Sequence, residues 1–228
     1  MKIRGAEITC LLVITVLMLI QPAFGSYDGK LYMGAGLDGT GSDWVNAVFG
    51  WNVSQNKDGS WHYAYNFNTY SKKDISNLTF EVSKGFSRND IYNWKVLDGY
   101  VGSYSMETQP EGKWDCPGSI YGIKLDGVSG TKLAFSFDSY RAPAWGDFYA
   151  KGGISKNGED SKTFNTVWNA GLTKNDSDPD AAPKSGSVNY HILRPDTAVP
   201  EPGTVVAAIT MLSSAGLFFR RRKTAQER

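Results

Sequence analysis

The residue types that most often carry out chemistry are few and widely spaced in this chain. Its 228 residues include only two histidines, His62 and His191, and neither has a zinc-binding spacing or another histidine to complete a catalytic triad. Both lie in alternating segments, on the side opposite to the aromatic residues, so we expect both to face solvent. The sequence also contains no nucleophile-elbow pattern and no phosphate-binding loop. We therefore predict that the protein is not an enzyme.

Three aspartates alternate in a polar segment, as in the first half of a calcium-binding loop: Asp176, Asp178 and Asp180. An EF-hand also needs Gly at its sixth position and Glu at its twelfth. Those positions hold Ala181 and Ser187 here. One interpretation is a solvated acidic loop, and the other is a looser Ca²⁺ site near the three aspartates. We otherwise expect no cofactor and no metal.

The chain contains seven tryptophans, more than a core of this size usually needs. Exposed aromatic rings on β-sheet proteins stack on the faces of sugars. Trp94 and Trp145 lie among loop-like residues, which makes them the candidates for ligand stacking. The alternative is that both rings cap the ends of the hydrophobic core. The sequence thus leaves open a carbohydrate-binding module that acts on extracellular polysaccharide.

Period-two alternation of apolar and polar residues dominates the middle of the chain and predicts β-strands. The clearest alternating segments cover residues 61–68, 78–82, 121–125, 133–137 and 188–192. Asp-Gly and Asn-Gly pairs between such segments favour tight turns, as at residues 57–60, 97–99 and 125–127. No helical stripe occurs outside the two terminal segments. We predict an all-β domain over residues 26–197, an antiparallel β-sandwich of jelly-roll type.

The body of the chain is mildly acidic. Between the first and the last 25 residues lie 17 basic and 21 acidic residues, a net charge of −4. A nucleic-acid-binding protein would show a basic stripe instead. We therefore expect no nucleic-acid partner.

The N-terminus has the three parts of a secretory signal peptide over residues 1–25. Lys2 and Arg4 precede an apolar run at residues 8–20, and Ala23 and Gly25 supply the small residues for cleavage by signal peptidase. An N-terminal anchor helix is the alternative, but spanning a bilayer takes roughly 20 apolar residues. After cleavage Cys116 would be the only cysteine. We expect it to be a buried small residue, the other possibility being an intermolecular disulfide.

The C-terminus, residues 198–228, also has three parts in a fixed order. Pro200, Glu201 and Pro202 precede an apolar segment at residues 205–219, and a basic cluster follows. This membrane-stop cluster consists of Arg220, Arg221, Arg222 and Lys223. The prolines prevent an earlier helix start, and the basic residues hold the end of the predicted helix in the cytoplasm. Fifteen helical residues span only about 23 Å, less than the hydrocarbon core of a bilayer.

This tail resembles the PEP-CTERM sorting signal of Gram-negative bacteria, whose sorting motif corresponds to Pro200, Glu201 and Pro202. The resemblance covers residues 199–223 and implies processing by an exosortase after a transient stay in the inner membrane. The released body would then be a non-enzymatic protein of the cell surface or the extracellular biofilm matrix. An ordinary single-pass C-terminal anchor is the alternative.

Overall fold

Thirteen β-strands form the part of the chain that the structure, a computed structural model, describes: residues 25–156, 162–175 and 177–195. In chain order they are β1 Ser26–Met33, β2 Gly36–Thr40, β3 Val48–Gln55, β4 Trp61–Asn68, β5 Ile75–Glu81, β6 Tyr92–Tyr100, β7 Ser103–Gln109, β8 Ile120–Asp126, β9 Ser129–Ser139, β10 Pro143–Gly146, β11 Phe148–Lys156, β12 Lys162–Asn169 and β13 Ile192–Pro195. Within these ranges the only helical elements are two single 3-10 turns, Arg88–Asp90 and Lys113–Asp115. The predicted all-β class is thus confirmed.

The predicted signal peptide and the predicted C-terminal helix lie outside the described residues. Among those that are described, no helix has the length and apolar character needed to cross a membrane.

Strand β4 shows how the alternating pattern produces the core. Tyr63, Tyr65 and Phe67 point inward and are at most 2% exposed, whereas the residues between them face outward. The hairpin from β3 to β4 turns at the predicted Asp-Gly pair, where Gly59 has φ +87°. A positive φ of this kind strains residues that carry a side chain, so glycine suits this position.

Eleven of the described strands form one mixed sheet, in the order β6-β9-β4-β3-β1-β2-β12-β11-β5-β8-β7. The other two, β10 and β13, pair with each other. All strand pairs are antiparallel except β1 and β2, which run parallel across two residue pairs. The prediction of a purely antiparallel arrangement is wrong at this one point, because the chain turns at residues 34–35 and continues in the same direction.

Aromatic contacts join strands that lie far apart in this order. The ring centroids of Phe49 in β3 and Phe148 in β11 lie 3.9 Å apart. Those of Trp94 in β6 and Tyr104 in β7, the two strands at the ends of the order, lie 4.7 Å apart. The sheet is therefore curled, and an aromatic core fills its interior.

Two local predictions are wrong. Residues 97–99, predicted as a turn, lie within β6, where Gly99 has φ +78° and the pairing with β9 shifts in register. Residues 188–192, predicted as a strand, contain a turn, because Asn189 and Tyr190 adopt positive φ values of 48° and 64°. Only Ile192 of that segment belongs to a strand.

A second, smaller core lies under the loop that connects β7 to β8. Cys116 packs there with Ile120, Tyr149 and Leu172. The thiol is 1% exposed and donates to the Gly118 carbonyl at 3.1 Å. Burial raises the pKa of Cys116 to about 12. The prediction of a buried cysteine is confirmed, and a thiol this enclosed has no access to a second chain in this conformation.

Candidate functional site

The most exposed large aromatic side chains of the described residues are tyrosines rather than tryptophans. Six tyrosines have between 46% and 64% of their surface exposed. They are Tyr32, Tyr70, Tyr92, Tyr100, Tyr140 and Tyr190. Exposed rings of this kind remain available for contact with a ligand.

Two of these rings border a groove on the outer face of β1, β3, β4 and β9, which we call the tyrosine groove. Its volume is about 220 Å³. The alternation that points Phe67 and Leu133 inward leaves the neighbouring positions of β4 and β9 facing out. The tyrosines and the polar residues that line the groove are Lys30, Tyr32, Asn66, Asn68, Tyr70, Asp98 and Lys132.

Tyr70 is held in place by its backbone. It has φ +48°, a conformation that non-glycine residues rarely adopt, and its N–H donates to Asn68 Oδ1 at 2.9 Å. Its side chain remains 64% exposed. Strained residues of this type cluster at ligand sites. The local hydrogen bond thus fixes the backbone of Tyr70, while its ring remains open to solvent.

The groove combines rings, amides and unpaired charges. Lys30, Asp98 and Lys132 form no ion pair with any described residue. The amides of Asn66 and Asn68 offer both donors and acceptors. This set of groups suits a ligand that is rich in hydroxyl groups and has an apolar face.

The two predicted stacking tryptophans lie elsewhere. Trp145 in β10 is 1% exposed, so in this conformation it presents no face to a ligand. Trp94 is partly buried and stacks on Phe135 at 5.3 Å. It also borders a separate surface pocket of about 310 Å³ together with Arg88 and Tyr104. Only Trp94 therefore has access to a surface pocket.

A buried ionic cluster lies where β10 and β13 meet the main sheet. It consists of Glu81, Asp147, Asp178, His191 and Arg194. The Arg194 guanidinium bonds Asp178, and its Nε lies 3.5 Å from Glu81 Oε2. His191 Nε2 lies 3.7 Å from Asp147 Oδ1, and both side chains are 4% exposed. The prediction that His191 faces solvent is wrong, because the turn at residues 189–190 directs it inward.

Three members of this cluster are potential metal ligands. One ligand atom each of Asp147, Asp178 and His191 lies within 4.8 Å of the others. Of the three predicted calcium-site aspartates, only Asp178 takes part, since Asp180 is outside the cluster and Asp176 is outside the described residues. The Arg194 guanidinium already compensates Asp178, so a metal ion would compete with it. This arrangement alone does not establish a cofactor.

His62 faces outward as predicted, with 39% of its side chain exposed. Its Nδ1 lies 2.6 Å from Asp138 Oδ1, and Asn93 donates to Asp138 Oδ2 at 2.7 Å. Burial favours a higher pKa for Asp138, but these hydrogen bonds outweigh it and keep the pKa below its usual value. The resulting ionised carboxylate holds the imidazole on the surface of the sheet.

The sequence interpretation missed the tyrosine groove because the groove is formed by outward positions of several strands. The one local signal is Asn68, two residues before Tyr70, since asparagine side chains often accept a backbone N–H two residues later. Comparison with protein-family models, curated proteins and solved structures gave no match for this chain.

Proposed function

We propose that the chain is an exported, non-enzymatic protein of the cell surface or the extracellular biofilm matrix, sorted by its PEP-CTERM tail. The observation that carries the proposal is the order of Pro200–Pro202, the apolar segment and the basic cluster at residues 220–223. Signal peptidase would remove residues 1–25, and an exosortase would cut near the motif while the tail lies in the inner membrane.

The position of the last strand fits this route. β13 ends at Pro195, whose neighbours in the strand are buried. The motif starts five positions later, at Pro200. An extended residue spans at most about 3.5 Å, so at most roughly 18 Å of chain separates Pro195 from the first residue of the motif. The exosortase would therefore act close to a folded body and release it intact.

Cell fractionation with intact-mass measurement tests the sorting proposal. We expect the wild-type body at the surface or in the medium, without residues 1–25 and without its tail. The triple variant Pro200→Ala, Glu201→Ala, Pro202→Ala should stay in the membrane fraction with its tail intact. The matched control changes Pro179, Asp180 and Pro183 to alanine and should behave like the wild type. A surface-located protein that retains its tail would contradict the proposal.

We also propose that the curled sheet is a jelly-roll-like β-sandwich. The 3.9 Å stacking of Phe49 on Phe148 supports two layers that face each other. A double-mutant cycle with Phe49→Leu and Phe148→Leu should then give a coupling free energy of at least about 0.5 kcal/mol. A cycle between Phe49 and Leu172, which lies in the smaller core, should be additive. Additivity for both pairs would count against facing layers.

A second candidate function is binding of extracellular polysaccharide in the tyrosine groove. The specific observation in its favour is Tyr70, which is 64% exposed in a positive-φ conformation that Asn68 stabilises. A ring presented in this way can stack on a sugar, while the neighbouring amides bind its hydroxyl groups.

A glycan array probed with the full chain tests this candidate. For any glycan that binds, Tyr70→Ala should weaken the affinity about tenfold, the contribution of one stacked ring. Tyr140→Ala is the matched control, because this ring is 51% exposed but does not line the groove. An array without signal, or equal effects of the two variants, would rule out the groove as a glycan site.

A further inference from the structure

The other half of the curled sheet carries a second set of polar residues on its outer face. Lys151 in β11 pairs across the strands with Thr166 in β12 on one side and with Asn77 in β5 on the other. Residues directly opposite each other in neighbouring strands place their side chains on the same face. The loop between β7 and β8 adds Lys113 and Trp114 here. We call Asn77, Lys113, Trp114 and Lys151 the lysine site.

Two positive charges meet at one ring in this site. The ammonium of Lys151 lies 3.8 Å from the Trp114 ring centroid, and that of Lys113 lies 4.4 Å from it. Neither lysine forms an ion pair with a described carboxylate. The nearby Lys124, by contrast, pairs with Glu107 and Asp126 at 3.0 Å each. Glu107, whose pKa the charge of Lys113 helps to lower, is already bonded to Lys124, so no described carboxylate forms an ion pair with either lysine of the site.

This concentration of charge affects Lys151. Burial, followed by the charges of Lys113 and Lys124, lowers the pKa of Lys151. A bound anion would relieve the repulsion between these ammonium groups. Cation–π contacts with Trp114 and, for Lys151, also with Phe164 at 4.3 Å hold the ammonium groups in this arrangement, and an anionic ligand would stabilise it further.

The backbone at the ring is strained as well. Trp114 and Asp115 have φ values of +54° and +62°, and neither is glycine. The hydroxyl of Tyr149 donates to the Trp114 carbonyl at 2.5 Å and holds this conformation. Strain of this kind is typical of ligand-binding segments. Here the strained segment carries the indole that contacts both lysines.

A buried acceptor indicates which kind of anion fits. Asn77 is 8% exposed, and its Oδ1 has no hydrogen-bond partner among the described residues. Thr79, two residues further along β5, has a buried Oγ1 that also lacks one. A carboxylate or an inorganic oxyanion cannot donate to Asn77 Oδ1, but a hydroxyl group can. The ligand should therefore carry both an anionic group and hydroxyl groups.

We propose that the lysine site binds an acidic saccharide, a sugar with a carboxylate group. The carboxylate lies between the ammonium groups of Lys113 and Lys151, a ring hydroxyl donates to Asn77 Oδ1, and the apolar face of the sugar contacts Trp114. This site shares no residue with the tyrosine groove and lies on other strands. Either site can fail in experiment without affecting the other.

Calorimetric titration of the full chain with polygalacturonate tests the proposal. We expect binding that weakens as ionic strength rises, because ion pairs contribute to it. Fully methyl-esterified polygalacturonate lacks the charge and polyglutamate lacks the hydroxyl groups, so each should bind at least about tenfold more weakly. No binding of polygalacturonate would overturn the proposal, and equal binding of polyglutamate would reduce the site to a nonspecific polyanion surface.

Variants locate the site. Lys151→Gln should weaken polygalacturonate binding about tenfold, whereas Lys95→Gln, at an exposed position of β6, should leave it unchanged. Asn77→Leu should weaken binding of polygalacturonate but not of polyglutamate. Tyr140→Ala removes an exposed ring that lies outside both the lysine site and the tyrosine groove, and it should have no effect; a loss of binding in that variant would overturn the assignment.

A measurement on the wild type covers the case in which a variant fails to fold. Lysine acetylation followed by peptide mass spectrometry should show that polygalacturonate protects Lys113 and Lys151 but not Lys95. Uniform protection, or none, would contradict the proposal.

Discussion

The buried ionic cluster and the tyrosine groove use similar residue types in opposite ways. In the cluster, Arg194 is 7% exposed and its guanidinium lies against the partly exposed carboxylates of Glu81 and Asp178. In the groove, Tyr70 and Lys132 are exposed and leave their interactions to solvent or a ligand. The cluster thus connects β13 to the rest of the fold, while the groove can lose a side chain with little structural cost. Polar residues in this protein therefore indicate a ligand-binding site only where they do not bond to other residues of the fold.

The sharpest test of this contrast is Arg194→Met. The change removes the cation between the partly exposed carboxylates of Glu81 and Asp178, and we expect a loss of about 1.5–3 kcal/mol in the free energy of unfolding. Urea denaturation measures it. The control is Lys174→Met, which breaks the exposed pair of Lys174 with Glu111 and should cost less than about 1 kcal/mol. If both variants lost similar amounts of unfolding free energy, the cluster would contribute no more to stability than an exposed ion pair.

Removing the hydroxyl group should have a smaller effect on stability, and this effect should differ between Tyr65 and Tyr70. Tyr65 is 2% exposed and its hydroxyl donates to the Leu193 carbonyl at 2.9 Å, whereas Tyr70 is 64% exposed. Tyr65→Phe should lower the free energy of unfolding by about 1–2 kcal/mol, because a buried carbonyl loses its donor. Tyr70→Phe should change it by less than about 0.5 kcal/mol. The reverse order would show that the groove supports the fold.

The acid dependence of stability should change slightly at Asp43. The hydrogen bond from Ser155, aided by Asn165, lowers the pKa of Asp43 against the effect of burial. A lowered pKa stabilises the fold above the unfolded value, near 4, and this contribution is lost as the pH falls through the folded value. In Asp43→Asn and in Ser155→Ala, unfolding free energies at pH 6 and pH 2.5 should therefore differ by less than in the wild type, by up to about 1 kcal/mol. An unchanged difference would mean that the bond is not kept in solution.

The smallest expected effect concerns the possible calcium ion. Because Arg194 already bonds Asp178, we expect a chelator to leave the melting temperature unchanged. A melting temperature that falls with chelator and recovers with added Ca²⁺ would show instead that the cluster binds a metal.

The local part of the fold could be predicted from the sequence. The eight predicted residues of β4 match the strand, because large aromatic residues alternate with smaller ones over its whole length. The turn at Asp58-Gly59 is correct for a similarly local reason, since glycine accepts positive φ. Residues 125–127 show the limit of such signals. They include the last two residues of β8 and precede β9, and these two strands pair with different partners, so the Asp-Gly pair marks a change of partner rather than a hairpin.

The buried ionic cluster and the tyrosine groove depend on which strands pair with each other, and the alternation of residues along the sequence does not determine this pairing. Glu81 and Arg194 are far apart in the chain and meet only because β5 and the β10–β13 pair come together in space. His191 is misplaced by the pattern because the positive φ values of Asn189 and Tyr190 occur at residues that seldom adopt them. Tyr70 in the tyrosine groove and Trp114 in the lysine site also adopt positive φ values that the sequence pattern does not predict.

The enclosed thiol of Cys116 has a kinetic consequence. The thiol lies beneath the loop that carries Trp114, two residues away in the chain. An alkylating reagent can reach it only during moments when that loop lifts from the sheet. The rate of alkylation, followed on the Cys116 peptide, therefore reports how often this loop opens.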